Sequence, residues 1–195
     1  MQGFIRNAGS ILACCVLAAA ATLGHSQAAP AKPAVGTKVA PSQSYGRLLG
    51  MMEKQFVGLV EAMPEDKFNF APPETAGDFK GVRSFSSQVK HVTGSSYYFF
   101  GGPDVTQDQV KAKEEAVDKL TTKAEIVQAL KDSFTNAHSF VDSITPENAF
   151  VAMPNGSTRA GLASFGLAHM MDHYGQLVVY LRMNGIVPPA SRGSM

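Results

Sequence analysis

Apolar residues recur at three- and four-residue intervals along most of the chain, which is the spacing of an amphipathic helix. The first such segment covers residues 44–63, and the second begins after Ser84 and reaches residue 100. A third covers residues 122–144, and a fourth begins after Ser157 or Thr158 and runs to about residue 184. Little of the sequence alternates as strands do. The pattern therefore predicts an all-α protein built on a four-helix bundle.

Residues at the segment ends support these boundaries. Ser84 is a suitable N-cap, and the sequence Gly-Gly-Pro at 101–103 ends the second segment. Thr122 and Glu125 form a capping box at the start of the third. Gly185 and the two prolines that follow it end the fourth.

The connections are less regular than the helices. Residues 106–120 carry charges on most sides, which predicts a short additional helix on the surface. The long second and third connections leave room for helices that are not neighbours in chain order to pack together. The order of the helices in the bundle cannot be read from the pattern.

The first 28 residues have the features of a secretory signal peptide. Arg6 provides a positive start, an apolar run covers residues 11–23, and small residues at 26–29 resemble a cleavage site. The run is too short and too rich in alanine for a membrane span. A lipobox-like sequence ending at Cys14 is the alternative, but the segment between Arg6 and Cys14 is short for a lipoprotein signal. We expect a soluble protein of the periplasm or the exterior.

Removal of this segment changes the chemistry that remains. Both cysteines, Cys14 and Cys15, leave with it, which excludes a cysteine nucleophile, a thiolate ligand and a disulfide framework. The chain has 17 basic and 16 acidic residues, and only Arg6 among them precedes residue 29. The mature protein is neutral, so its charge gives no reason to expect nucleic acid or an anionic membrane as a partner.

The rest of the chain divides into three parts. Residues 29–43 are rich in proline and alanine, and they predict a flexible linker. Residues 44–189 are long enough for one domain with one core. Residues 190–195 form a C-terminal tail.

Two histidines share one face of the fourth segment. His169 and His173 are four residues apart, so at about 100° per residue they point the same way, one turn apart. A helical wheel centred on them groups several mostly apolar side chains on the same side, namely Leu162, Phe165, Gln176, Leu177 and Tyr180. We therefore expect both imidazoles to face the interior.

A third histidine lies midway along the second segment. His91 sits at the edge of the apolar stripe, next to small polar residues. In one interpretation it is a surface or boundary histidine. In the other it faces His169 and His173 across a polar cavity, and three neutral imidazoles with open positions suit zinc, nickel or a similar divalent ion. Spacing alone leaves both interpretations open.

The sequence resembles the DinB (DinB/YfiT-like) family of bacterial proteins over residues 45–189. Four motifs, in this order and at this separation, carry the resemblance. They are MPEDKFNFAPP at 63–73, RSFSSQVKH at 83–91, HMMDHYGQ at 169–176 and YLRMNGIVPP at 180–189.

The resemblance implies a four-helix bundle with three histidine metal ligands on its second and fourth helices. The ligand positions of the family match His91, His169 and His173. Tyr174 stands where one typical member has arginine, a difference that touches the surroundings of the metal rather than its ligands. The family includes thiol-dependent transferases and isomerases. Export would separate this protein from the thiols of the reducing cytoplasm.

Other residues near the histidines have less defined roles. Asp172 either orients a ligand imidazole or is a solvated charge, and Gln176 is either a hydrogen-bonding neighbour of the site or a polar spacer. Tyr98 and Tyr180 lie on the histidine-bearing sides of their helices, where they either donate to a bound group or fill the core. His138, beside the apolar stripe of the third segment, is a conceivable fourth ligand but matches no ligand position of the family.

These features favour a metal-dependent hydrolase or transferase that acts on a small molecule in the bundle cleft. A bound ion of this type activates water or polarises a carbonyl. The sequence contains no H-E-x-x-H, G-x-S-x-G or paired carboxylates that would supply a general base. The alternatives are a non-catalytic periplasmic metal-binding or structural bundle and, more simply, a helical interaction module. A homodimer is compatible with each of them.

Overall fold

The computed structural model describes residues 33–193. The predicted signal peptide at residues 1–28 and the start of the predicted linker lie outside the described residues. Five α-helices and three short 3-10 turns make up the regular structure of the described part, and its sole extended pairing is a single bridge between Ala152 and Thr158. Within residues 33–193 no helix has the length and apolar character that crossing a membrane requires. The prediction of an all-α fold is confirmed.

The five helices have clear boundaries. They are α1 (Pro41–Ala62), α2 (Phe85–Phe99), α3 (Gln107–Asp118), α4 (Lys123–Asp142) and α5 (Arg159–Met183). α1 begins three residues before the predicted start, because Pro41 occupies the first helical position, where its fixed φ suits the helix and its missing N–H is not needed. Ser84, Thr122 and Thr158 accept the expected capping hydrogen bonds from the third residue of α2, α4 and α5.

Four of the helices form a ring. α1 packs against α4 and α5, and α2 packs against the same two helices, so the spatial order is α1, α4, α2, α5. The hydroxyl of Tyr45, near the start of α1, donates to the carbonyl of Ala160, near the start of α5, at 3.2 Å, so these two helices are parallel. Lys123 at the start of α4 donates to the carbonyl of Met63 just after α1, so α1 and α4 are antiparallel. Tyr180, near the end of α5, donates to the carbonyl of Arg83 just before α2, so α2 is antiparallel to α5 and the bundle runs up, down, down, up in chain order.

The additional helix α3 packs against α2. Val110 and Val117 are buried, whereas most of α3 is exposed, which confirms the short surface helix that the charge pattern predicts. A Cβ atom at Gly94 of α2 would lie 3.1 Å from Cγ of Glu114, so this glycine lets α3 approach closely. α2 is thus covered by α3, α4 and α5, which explains why its threonine and most of its serines are buried. The hydroxyls of Ser95 and Thr93 donate hydrogen bonds to backbone carbonyls of the preceding turn.

The core lies between α1, α2, α4 and α5. Its largest fully buried side chains are Phe56, Phe85, Phe100, Phe134, Leu49, Leu59, Met63, Ile126, Leu130, Ile144, Met170 and Leu177. Each such side chain contributes roughly 1.5–3 kcal/mol by leaving water. This apolar interior fixes the separation and rotation of α2 and α5, the two helices that carry the predicted metal ligands.

Candidate metal centre

Two of the three histidines come from the middle of α5. His169 and His173 lie one turn apart, with ring centroids 4.5 Å from each other. His173 is buried, with 8% of its surface exposed, and His169 is half-buried. α5 is an uninterrupted helix of 25 residues, so regular geometry alone holds the two rings together.

The third histidine approaches from α2, which runs antiparallel to α5. The Nε2 atoms of His91 and His169 are 3.3 Å apart. The ring centroid of His91 is 5.2 Å from that of His169 and 5.0 Å from that of His173. One ring nitrogen from each of the three residues lies within 4.8 Å of the others. The juxtaposition that the sequence predicts is present, with His91 half-buried at the edge of α2 and close to the pair on α5.

A close helix contact next to the cluster sets this geometry. A Cβ atom at Gly166 would lie 2.6 Å from Cζ of Phe100 and 2.9 Å from Cβ of Phe99. Only a residue without a side chain fits at this point of α5. The ring of Phe99 also packs against His169, with the centroids 5.1 Å apart. Packing between apolar residues therefore holds the histidine-bearing faces in contact.

The surroundings favour the neutral form of all three imidazoles. Burial is the main cause that lowers the pKa of His91, His169 and His173 below the ordinary value of 6.5. The charge of Arg83 and the positive form of a neighbouring histidine lower each pKa further. A neutral imidazole offers a free lone pair, which is the form that binds a metal ion.

The donor set fits a divalent metal ion. Nδ1 of His173 is buried and has no hydrogen-bond partner among the described residues. A buried polar atom without a partner is costly, and a bound ion or its ligands would remove that cost. The three clustered donors of the described chain are all imidazole nitrogens, which suit zinc and nickel better than magnesium or calcium.

A chain of amide hydrogen bonds runs beside the cluster. Nε2 of Gln88 donates to Oε1 of Gln176 at 2.9 Å, and Nε2 of Gln176 donates to the carboxylate of Asp172 at 3.0 Å. Asp172 is exposed, and its hydrogen bond comes from Gln176 rather than from an imidazole. This arrangement favours the solvated-charge interpretation of Asp172. Gln176 joins α5 to α2 and is more than a polar spacer.

Two cavities adjoin the histidines. The larger, of about 690 Å³, has His173, Gln88 and Tyr180 in its wall. The smaller, of about 380 Å³, has His91 in its wall, and Arg83 borders both.

Part of the larger cavity comes from residues to which sequence reasoning assigned no role. Phe79, Gly81, Val82 and Arg83 belong to the irregular connection between α1 and α2. Such a connection has no periodicity from which its position could be inferred. The one feature of the sequence that could have drawn attention to Arg83 is its place in the family motif at residues 83–91.

Of Tyr98, Tyr180 and His138, only Tyr180 adjoins the histidine cluster. Tyr180 is buried beside His173, and its hydroxyl donates to the carbonyl of Arg83 at 3.0 Å. Tyr98 is 37% exposed and borders neither cavity, so its predicted position on the histidine side gives it no contact with the site. His138 pairs with Glu53 between α4 and α1, with Nε2 and Oε2 2.9 Å apart, and is not a fourth ligand.

The face of α5 that looks into the bundle differs from the predicted one. Phe165 is 62% exposed and Gln176 is also exposed, whereas Ala163, Gly166 and Met170 are buried. A wheel centred on the histidines places Phe165 and Gln176 on the inner side, but the centre of the buried face lies further round the helix. The histidines occupy its flank, beside α2 and next to the two cavities.

Five helices with a cluster of three histidines between α2 and α5 define the chain as an all-α bundle protein with a candidate metal centre. The family model of the DinB superfamily matches residues 48–177, about two thirds of the sequence, and the chain belongs to this superfamily. The matched region includes all three histidines. No curated protein matches the sequence.

Proposed function

We propose that this protein binds a divalent metal ion through His91, His169 and His173 and acts as a metal-dependent hydrolase or transferase on a small molecule. The observation that carries the proposal is the convergence of three ring nitrogens within 4.8 Å, from two helices of a DinB-superfamily bundle. Zinc and nickel are the ions that this donor set favours.

A divalent ion held by imidazoles supplies Lewis-acid chemistry, since it polarises a substrate group and lowers the pKa of coordinated water. The protein contributes position and shape. His173 and His91 border different cavities, which supports an open centre that a small molecule can reach. The hydroxyl of Tyr180 is engaged by the carbonyl of Arg83, so in this arrangement it holds the cavity wall rather than donating to a substrate.

The main alternative is a non-catalytic periplasmic metal-binding or structural protein. A structural site is closed by protein ligands, whereas a catalytic site keeps a position for substrate. The two cavities beside the histidines therefore support the catalytic proposal over this alternative. The location in the periplasm or outside the cell rests on the sequence of residues 1–28. Mass spectrometry of the N-terminus of protein from the native cell tests it.

Elemental analysis of protein purified without added metal tests the metal site. We expect about one zinc or nickel ion per chain in the wild type and a large loss in His91→Ala and His169→Ala, because two imidazoles hold a divalent ion much more weakly than three. His138→Ala is the matched control, since His138 lies between α4 and α1 and pairs with Glu53. An unchanged metal content in His91→Ala would contradict the proposal.

A further inference from the structure

Arg83 is an exposed residue at the junction of the two cavities. It lies just before α2, in the connection from α1, and borders both cavities. Its carbonyl accepts the hydrogen bond of Tyr180 from the last turns of α5. The backbone at Arg83 is therefore tied to the same helix that carries His169 and His173.

The guanidinium of Arg83 has no ion-pair or hydrogen-bond partner among the described residues. The nearby ammonium of Lys90 differs, because it donates to the carbonyls of Asp118 and Leu120. Two acidic residues lie in the same region, Glu114 and Asp118. Both border the smaller cavity and not the larger one. In the wall of the larger cavity, Arg83 is the one residue with a formal charge.

The rest of the larger cavity wall combines apolar side chains with the neutral polar groups of Gln88, Gln176 and Tyr180. Phe79, Val82 and Val179 line it. Oε1 of Gln88 and Nδ1 of His173 are buried in side chains that border the same cavity, and neither has a hydrogen-bond partner among the described residues. A ligand that fits these walls has an apolar body and an anionic end.

We propose that Arg83 binds the carboxylate of a small amphipathic ligand in the larger cavity, whose wall also contains His173. The identification of this ligand as the substrate rests on the proposed function. One guanidinium matches a carboxylate through two parallel hydrogen bonds. A dianionic phosphate would need a second cation, and the wall of the larger cavity contains only this one.

Calorimetric titration with 3-phenylpropionate and with its neutral amide tests the proposal. Both probes have the same apolar body and differ in the charge that Arg83 would bind. We expect the carboxylate to bind metal-free wild-type protein roughly 10- to 100-fold more tightly than the amide, because charge-assisted hydrogen bonds distinguish them. Arg83→Gln should remove most of this preference. Lys80→Gln, which removes a positive charge from the same connection outside the cavity wall, should keep it.

Several outcomes would overturn the proposal. Equal binding of the two probes, binding of neither, or an unchanged preference in Arg83→Gln would exclude Arg83 as the anion site. A preference that occurs only in zinc-loaded protein and persists in Arg83→Gln would assign the carboxylate to the metal instead. Because the titration uses metal-free protein, its result does not depend on whether the histidines bind an ion. Failure of the metal site would appear separately, in the elemental analysis.

Discussion

Gly166 determines how closely α2 and α5 approach next to the histidines. The nearest atoms to a Cβ at this position belong to Phe99 and Phe100, at the end of α2. Phe99 in turn packs against the ring of His169. A single missing side chain therefore links the packing of the core to the spacing of the imidazoles.

Replacement of Gly166 by alanine should destabilise the protein by about 1–3 kcal/mol, because the methyl group forces the phenylalanines or the helices apart. Gly175→Ala is the control on the same helix. No atom lies within 4 Å of a Cβ at Gly175, so alanine there should stabilise α5 by about 0.5–1 kcal/mol through its helix propensity. Urea unfolding of both variants measures the difference. Equal effects would mean that the contact at Gly166 relaxes freely.

The sequence predicts the positions and roles of some site residues but not of others. The three histidines were predicted, since helical periodicity places His169 and His173 together and the family motif adds His91. The exposure of Phe165 was predicted wrongly, because a wheel shows which residues share a face but not which part of that face meets a neighbouring helix. Arg83 received no role, because irregular connections carry no periodic signal.

At the scale of elements, α4 depends on local capping at its start. The hydroxyl of Thr122 accepts from the backbone N–H of Glu125 at 3.2 Å, and the carboxylate of Glu125 accepts from the backbone N–H of Thr122 at 3.0 Å. Hydrogen bonds from Thr122 are the main cause that lowers the pKa of Glu125. This carboxylate therefore supports the helix above its ordinary pKa of 4.5, and that support is lost as the pH falls further.

Thr122→Ala should reduce the free energy of unfolding by about 1 kcal/mol, because the first turn of α4 loses its cap. Thr135→Ala is the matched control, since Thr135 is exposed in the middle of the same helix and bonds only to the carbonyl of Lys131. Alanine there should be neutral or slightly stabilising. Thermal or urea unfolding compares the two variants, and a larger loss in Thr135→Ala would contradict this account of α4.

The sequence predicts where the helices begin and end, but it does not predict their spatial order in the bundle. The caps at Ser84, Thr122 and Thr158 and the stop at Gly185 are local features, so the sequence alone indicated them. The spatial order α1, α4, α2, α5 depends on which helix faces fit together across long connections. Apolar periodicity shows that a helix has an inner face but does not identify its partner.

At the scale of the whole molecule, the histidine cluster couples folding to pH. Folding buries three imidazoles together and lowers the pKa of each. In the unfolded chain the same groups titrate near the ordinary value of 6.5. As the pH falls through that value, the unfolded chain binds more protons than the folded one, so stability decreases.

The metal-free protein should therefore lose stability between about pH 7.5 and about pH 5.5, and His91→Gln should show a shallower loss because one of the three groups is gone. The acidic side chains Glu125 and Glu147, whose pKa values are lowered by hydrogen bonds, titrate below this window. Urea unfolding in the presence of a chelator, at several pH values, gives the slope. An identical slope in wild type and His91→Gln would show that the cluster does not cause it.

The connection between α1 and α2 has a consequence for how proteins of this architecture diversify. It supplies one side of the larger cavity, while the histidines project from regular helices with fixed rise and rotation. Loops accept insertions and substitutions that helices in a packed core do not. Evolution can therefore reshape the cavity by altering this loop while the arrangement of nitrogens stays constant, so relatives with the same three histidines need not share a ligand.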